Sequence, residues 1–277
     1  MIVQERLPLP FDRAPIVVFL AIARKPVGPK ILSGLADRSN LGHTIAPMRI
    51  PLLAFTGILV ASVLVFLDSS ATAESPVKWQ KIDQQDGIVA YSRDVPGSAI
   101  LAFRGDGDIA APIAKVASIL IDIERGPEWI DSLIDAHPVR RVSEVEYVEY
   151  DHFGTPFPLA HRDFVFAAKL ELVPQSKQIV LRFHSVDDPQ APKTGYVRGE
   201  LIQSSFTLTS LDHGTRTHMM ADIQTDPKGW IPAFIVNMVQ RSWPVSTLAS
   251  LRKQARKANV TENARLKQAL VDAGYYQ

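Results

Sequence analysis

The run Arg162–Leu172 alternates without a fault. It puts Arg162, Phe164, Phe166, Ala168, Leu170 and Leu172 on one face and Asp163, Val165, Ala167, Lys169 and Glu171 on the other. One guanidinium therefore shares a face with two aromatic rings, where an unpaired charge is costly. Two readings stand. Arg162 caps a sheet rim, its stem on apolar surface and its head in water, or it holds a carboxylate at one end of an apolar pocket. The preceding run, Glu144–Tyr150, supplies carboxylates. Its alternation slips at Tyr147-Val148, which indicates a bulge or sets Glu149 on the face of Val145 and Tyr147, with Asp151 following. Glu149 or Asp151 paired with Arg162 would leave a polar spot able to orient a ligand hydroxyl or head group. For each glutamate the alternative is a solvated strand face.

Other polar residues suggest less. His218, Met220, Asp222 and Gln224 share one face of the run Thr215–Thr225. His218 could join Arg162 and Glu149 in acid–base work, or be a satisfied structural residue. Trp129, Trp230 and Trp243 fit a core or cavity wall, to which Met219, Met220 and Met238 would add adaptability. The chain has no P-loop, GxGxxG, HExxH or GxSxG. Its seven histidines show no metal-ligand spacing, and with no cysteine there is neither a disulfide nor a thiolate site. No cofactor or metal is expected. Thirty basic against twenty-nine acidic residues give no electrostatic footprint for nucleic acid.

These residues need strands to hold them. Ile88–Arg93 and Ile100–Asp106, split by the turn pair Pro96-Gly97, read as strands, as do Val139–Phe153, Arg162–Leu172, Gln178–Val186, Tyr196–Leu211 and Thr215–Thr225. Pro112–Ile121 and Glu124–Leu133 read as short helices. The run Asp226–Asn237 then turns strand into helix, with Pro232 tolerated in the first turn. One long helix, Ile231–Lys257, is expected, kinked at Pro244. Phe234, Met238 and their neighbours make its start apolar nearly all round, which demands enclosure. Antiparallel strands flanked by helices make an α+β domain over residues 76–257, with residues 258–277 a short surface helix. A curved sheet around one long helix leaves a space between them, and whether it is filled or hollow decides the function.

The first part of the chain is different. Residues 1–73 hold seven basic residues against four acidic. Ile50–Leu67 is uncharged and apolar, preceded by Met48-Arg49 and followed by Ala71-Thr-Ala73. That is the layout of a secretory signal, here residues 48–73, cut after Ala73. The same eighteen residues, 50–67, also suffice for a retained inner-membrane anchor. Either way the body lies outside the cytoplasm, in a bacterium the periplasm. Translation beginning at Met48 would make residues 1–47 a misassigned extension; otherwise they form a disordered leader.

Five pieces in order carry a family resemblance: Trp79 with Asp86-Gly-Ile-Val-Ala-Tyr-Ser-Arg93, Glu128-Trp129, Pro156 through Arg162-Asp-Phe164, Gly195-Tyr-Val-Arg198, and Asp226 with Gly229, Pro232 and Asn237. Together they resemble the START family of lipid-binding domains over about 180 residues. The resemblance implies a helix-grip (START, Bet v 1-like) fold, no cofactor, and a lipid-sized tunnel beneath a C-terminal helix that acts as a gate with its neighbouring loops. Taken with the strand faces above, the expected ligand-contacting group is Arg162, Glu149, Tyr147, Phe164, Phe166, Trp129, Arg198, His218, Phe234 and Met238. Sterol-binding members of this family carry a second inward arginine where this chain has Ala168, so the cavity is less polar or the ligand is not a sterol. The expected partner is a lipid or other apolar small molecule, carried by a monomer that touches membranes transiently. Related grip folds host cyclases and hydrolases, which leaves an enzyme acting in the same cavity as the alternative, and a ligand-dependent adaptor as a third.

Overall fold

The computed structural model describes residues 78–276. Strands β1 (Gln80–Gln85), β2 (Ile88–Val95) and β3 (Ser98–Ile109) lead into helix α1 (Ile113–Ile121) and a 3-10 turn over Ile123–Glu128. Strands β4 (Leu133–Arg141), β5 (Glu146–Phe153), β6 (Arg162–Val173) and β7 (Gln178–Ser185) follow. Next come the short β8 (Val197–Arg198) and β9 (Glu200–Leu201), then β10 (Ser204–Leu211), β11 (Arg216–Ile223) and the short β12 (Thr225–Asp226). Helices α2 (Ala233–Gln240), α3 (Trp243–Arg256) and α4 (Ala264–Asp272) complete the domain. The large sheet runs β1-β2-β3-β11-β10-β7-β6-β5-β4, with β8 pairing in parallel beside the start of β6, while β9 and β12 form a separate pair. Apart from β8, every pairing is antiparallel. This is the α+β helix-grip architecture expected from the sequence. Residues 1–73, with the proposed signal or anchor, lie outside the described residues.

Three element readings change. The expected helix Ile231–Lys257 is two helices. A proline at 244 has no N–H and its ring clashes with the carbonyl four residues back, at Gln240. The first helix therefore stops at Gln240, and Pro244 opens the first turn of a second. Glu124–Leu133 holds only a 3-10 turn, and Leu133 begins β4, which sequence reading had joined to β5. Tyr196–Leu211 breaks into β8, β9 and β10, each with a different partner.

The core lies on the concave side of the sheet. Leu248 and Leu251 of α3 are fully buried there, beside Ile88, Ile109 and Met219. Glycine permits the close approach: a Cβ on Gly105 would stand 3.0 Å from Leu248 Cδ1 and 3.0 Å from the Pro244 carbonyl oxygen. Helices α2 and α3 thus sit against β2 and β3. The segment expected as a short surface helix joins the core instead. Leu266 and Leu270 of α4, and Tyr275 after it, are buried near α1 and β7.

Candidate functional site

The register settles which residues face inward. Pairing of β5 with β6 is unbroken, setting Phe153 opposite Arg162, Asp151 opposite Phe164, Glu149 opposite Phe166 and Tyr147 opposite Ala168. The irregularities fall between β4 and β5 instead. Of the two sequence readings, the one placing Glu149 on the face of Tyr147 is therefore right. An aromatic wall continues across the concave face. Phe166 lies 6.0 Å from Phe183 between ring centroids, Phe183 4.9 Å from Phe206, and Phe206 6.3 Å from Trp243 on α3. Phe153 meets Phe164 edge-on at 5.6 Å. Phe164 is held by backbone: a Cβ on Gly199 would fall 2.3 Å from its ring, so the chain passes over it only with glycine there.

Arg162 does not pair with Glu149 or Asp151. It is 4% exposed, and its Nε–H donates to the Pro227 carbonyl at 3.3 Å while Nη1 donates to the Ala160 carbonyl. Glu149 is four residues further along the sheet, about 13 Å away at strand spacing, too far for an ion pair. Burial pulls the guanidinium below its usual value. Arg162 thus ties the segment before β6 to the loop before α2, and neither sequence reading foresaw this.

The two acids form a pair of their own. Burial pushes Glu149 well above the usual carboxylate range, and the charge of Asp151 and a hydrogen bond with it add to the rise. Burial pushes Asp151 up to about 7, opposed by the bond to Glu149. Asp151 is 6% exposed, and its Oδ1 finds no hydrogen-bond partner among the described residues. Two buried, hydrogen-bonded carboxyls favour holding a proton near neutral pH, which Arg141 opposes only in part at Glu149.

Four residues of the expected group lie elsewhere. Arg198 follows Asp163 onto the convex face, gripping it through Nε at 2.8 Å and Nη2 at 3.0 Å. Burial raises the Asp163 carboxyl, but bonds from Arg198, Thr194 and Tyr150 outweigh it and leave the group below its usual value. His218 is also convex, its Nδ1 2.8 Å from Asp108 Oδ1, opposite its pairing partner in β3. Phe234 and Met238 point out of the molecule, 65% and 47% exposed, on the side of α2 opposite Val236. The enclosure expected for α2 is absent because polar bonds hold it in place. Asn237 accepts from the Leu101 N–H at 2.9 Å and donates to the Ala99 carbonyl at 3.0 Å, and Gln240 donates to the Thr225 carbonyl at 2.9 Å.

The START domain model matches residues 68–257, most of the chain. The chain belongs to the START domain family. It is 25% identical over 200 residues to an uncharacterized protein of Pseudomonas aeruginosa, covering 72% of this chain and 96% of that one. It is 23% identical over 185 residues to the mouse phosphatidylcholine transfer protein, covering 64% and 85%. Two solved structures share the START fold. One is a STAR-related lipid transfer protein of Xanthomonas axonopodis (TM-score 0.59, 24% identity, 65% of this chain and 99% of that). The other is human STARD10 (TM-score 0.60, 20% identity, 73% and 80%).

In this START domain α3 has two working faces. Pro244, Leu248, Leu251 and Ala255 are buried against the sheet. Trp243, Ser246, Ser250, Lys253, Gln254 and Lys257 share the adjoining side by helical spacing, and all but Trp243 border an open groove of about 510 Å³ flanked by residues 127–133. Trp129, read from the sequence as a wall residue, lines it. Gln254 was missed, because a glutamine late in a helix gives no sign that it is 1% exposed. Its amide donates to Glu128 Oε2 at 3.0 Å.

Proposed function

We propose that this protein binds a lipid or similar apolar molecule between the concave face of β4–β7 and the α2–α3 pair, and transfers it between membranes. The observation that carries this is α2 itself, a short helix laid on β3 with its apolar side turned to solvent. Trp230 is 80% and Phe157 92% exposed on the two loops that Arg162 joins, and the loop of Trp230 runs directly into the helix that carries Phe234 and Met238. An apolar patch of that kind on a soluble face marks an interaction site, and a membrane interface suits tryptophan and phenylalanine. Inside, Glu149, Phe206 and Trp243 keep accessible surface although they face inward, which supports unfilled space beneath the helices. Phe164, Phe166, Tyr147, Glu149 and Trp129 are the wall in this reading, and burial of a chain there contributes about 0.8 kcal/mol per CH₂. The likeness to the mouse phosphatidylcholine transfer protein supports transfer of lipid. The apolar segment 50–67 supports work outside the cytoplasm.

An acid–base enzyme built on Arg162, Glu149 and His218 has less support, since His218 is on the other side of the sheet from Glu149. The test of carriage is lipid exchange between donor and acceptor vesicles. The pair F234D/M238D should slow exchange about tenfold or more, because each buried side chain is worth roughly 1.5–3 kcal/mol. Binding of a fluorescent lipid delivered without membranes should stay near the unaltered value. Unchanged exchange by that variant would sink the docking role of α2, and absence of lipid binding by the unaltered protein would sink carriage altogether.

A further inference from the structure

We infer that the groove between α3 and residues 127–133 takes the polar end of the ligand, and that this end is a neutral group that both donates and accepts hydrogen bonds, a hydroxyl or a secondary amide. The inference rests on the carrier reading above and names the ligand's head chemistry. Two residues lining the groove carry buried polar atoms with no partner among the described residues, Trp129 Nε1 and Gln254 Oε1. Trp129 is 8% and Gln254 1% exposed. The two atoms are of opposite kind. An indole N–H only donates, and an amide oxygen only accepts. The orientation of the Gln254 amide is fixed by chemistry, since Glu128 Oε2 can only accept and so must face the NH₂.

A buried donor or acceptor left unpaired is costly, while pairing both removes two penalties at once. A hydroxyl or a secondary amide offers both the acceptor that Trp129 lacks and the donor that Gln254 lacks. A carboxylate or phosphate would satisfy the indole but set its charge against the Gln254 oxygen. A pure hydrocarbon satisfies neither. Both atoms are shut off from water, so the arriving head parts the lining to reach them. The rest of the groove agrees with a neutral head. Glu128 is engaged by Arg125, Gln254 and Lys257, Asp131 is a lining carboxylate without an ion pair among the described residues but is exposed to water, and Ser250 adds a hydroxyl that can serve as donor or acceptor. Lys253 is the lining cation without an ion pair among the described residues, and it is exposed at the rim.

The experiment compares hexadecanol, hexadecane and palmitate, each delivered from cyclodextrin, in displacing a fluorescent lipid from the unaltered protein. Hexadecanol should displace at about one-tenth the concentration needed for hexadecane, and palmitate should bind less well than hexadecanol. W129F and Q254M should each weaken hexadecanol about five- to tenfold and leave hexadecane within about twofold, with thermal unfolding checking that both fold. Equal displacement by hexadecanol and hexadecane overturns the inference without any variant. Stronger binding of palmitate, lost in K253Q, overturns it in favour of an anion site. Failure of all three probes to bind overturns the carrier reading, and this inference with it.

Discussion

Thermal stability should fall as the pH is raised from about 4 to 8. The cause is the pair Glu149–Asp151. A carboxyl whose pKa is raised by folding binds more protons in the folded chain than in the unfolded one, so its stabilising contribution is full below the ordinary value and is lost as pH rises through the raised one. Asp151 moves from 3.8 to about 7, and each unit is worth about 1.4 kcal/mol. The loss across that window is therefore about 4 kcal/mol. Glu149, raised in the same way, extends it upward. Other groups act with the opposite sign. His152 is held below its usual value by burial and by His161, so it favours the folded state increasingly as pH rises toward 6.5. Glu128 is held well below the usual range by Arg125, Gln254 and Lys257, and it works only on the acid side. Unfolding followed by circular dichroism from pH 4 to 8, for the protein and for E149Q/D151N, separates them. The double variant should lose most of the decline and be the more stable form at pH 8. Parallel profiles for the two proteins would show that the acids do not share a proton in the folded chain.

Leu248→Ala should destabilise the domain by about 3–5 kcal/mol, as for a large side chain removed from a site that cannot collapse. Leu248 is fully buried. The backbone of Gly105 on one side and the rest of α3 on the other prevent relaxation into the space left behind. The converse change, Gly105→Ala, should cost about 1–3 kcal/mol by overpacking. The flexible Leu248 methyl can yield, but the Pro244 carbonyl oxygen, also 3.0 Å from the added carbon, belongs to backbone. Denaturant titration measures both. A loss under about 1 kcal/mol for Leu248→Ala would mean that α3 is not seated in this notch.

The wall was legible in the sequence and the lid was not. Arg162–Leu172 alternates cleanly because one side of β6 faces the core along its length, and such a period survives any tertiary detail. The pairing register then carried Glu149 and Tyr147 inward with it. Phe234 and Met238 were misplaced because apolar character says that a side chain avoids water and not what it will meet. Their outward setting follows from Asn237 and Gln240 gripping backbone, contacts that sequence spacing cannot reveal. Pro244 was recognised as a disturbance, but a kink and a restart have the same local cause and differ only in how the preceding turn is held. Arg198 and His218 went astray for a simpler reason. His218 lies in a strand with polar residues on both faces, and Arg198 in a strand of two residues, so alternation could not tell concave from convex. Trp129 and Gln254 come from segments far apart in the chain, and only the folded structure brings them to one groove.

The match to the family model ends at Lys257, but the cooperative unit does not. Beyond that residue the Tyr275 hydroxyl donates to the Gln178 carbonyl at 2.5 Å, its own carbonyl accepts from Ser210 Oγ at 3.0 Å, and the Tyr276 ring covers Gly214. A chain trimmed at the homology boundary would bare the greasy underside of α1 and unclasp two strand ends, so such a truncation would report on a damaged protein and not on a minimal one.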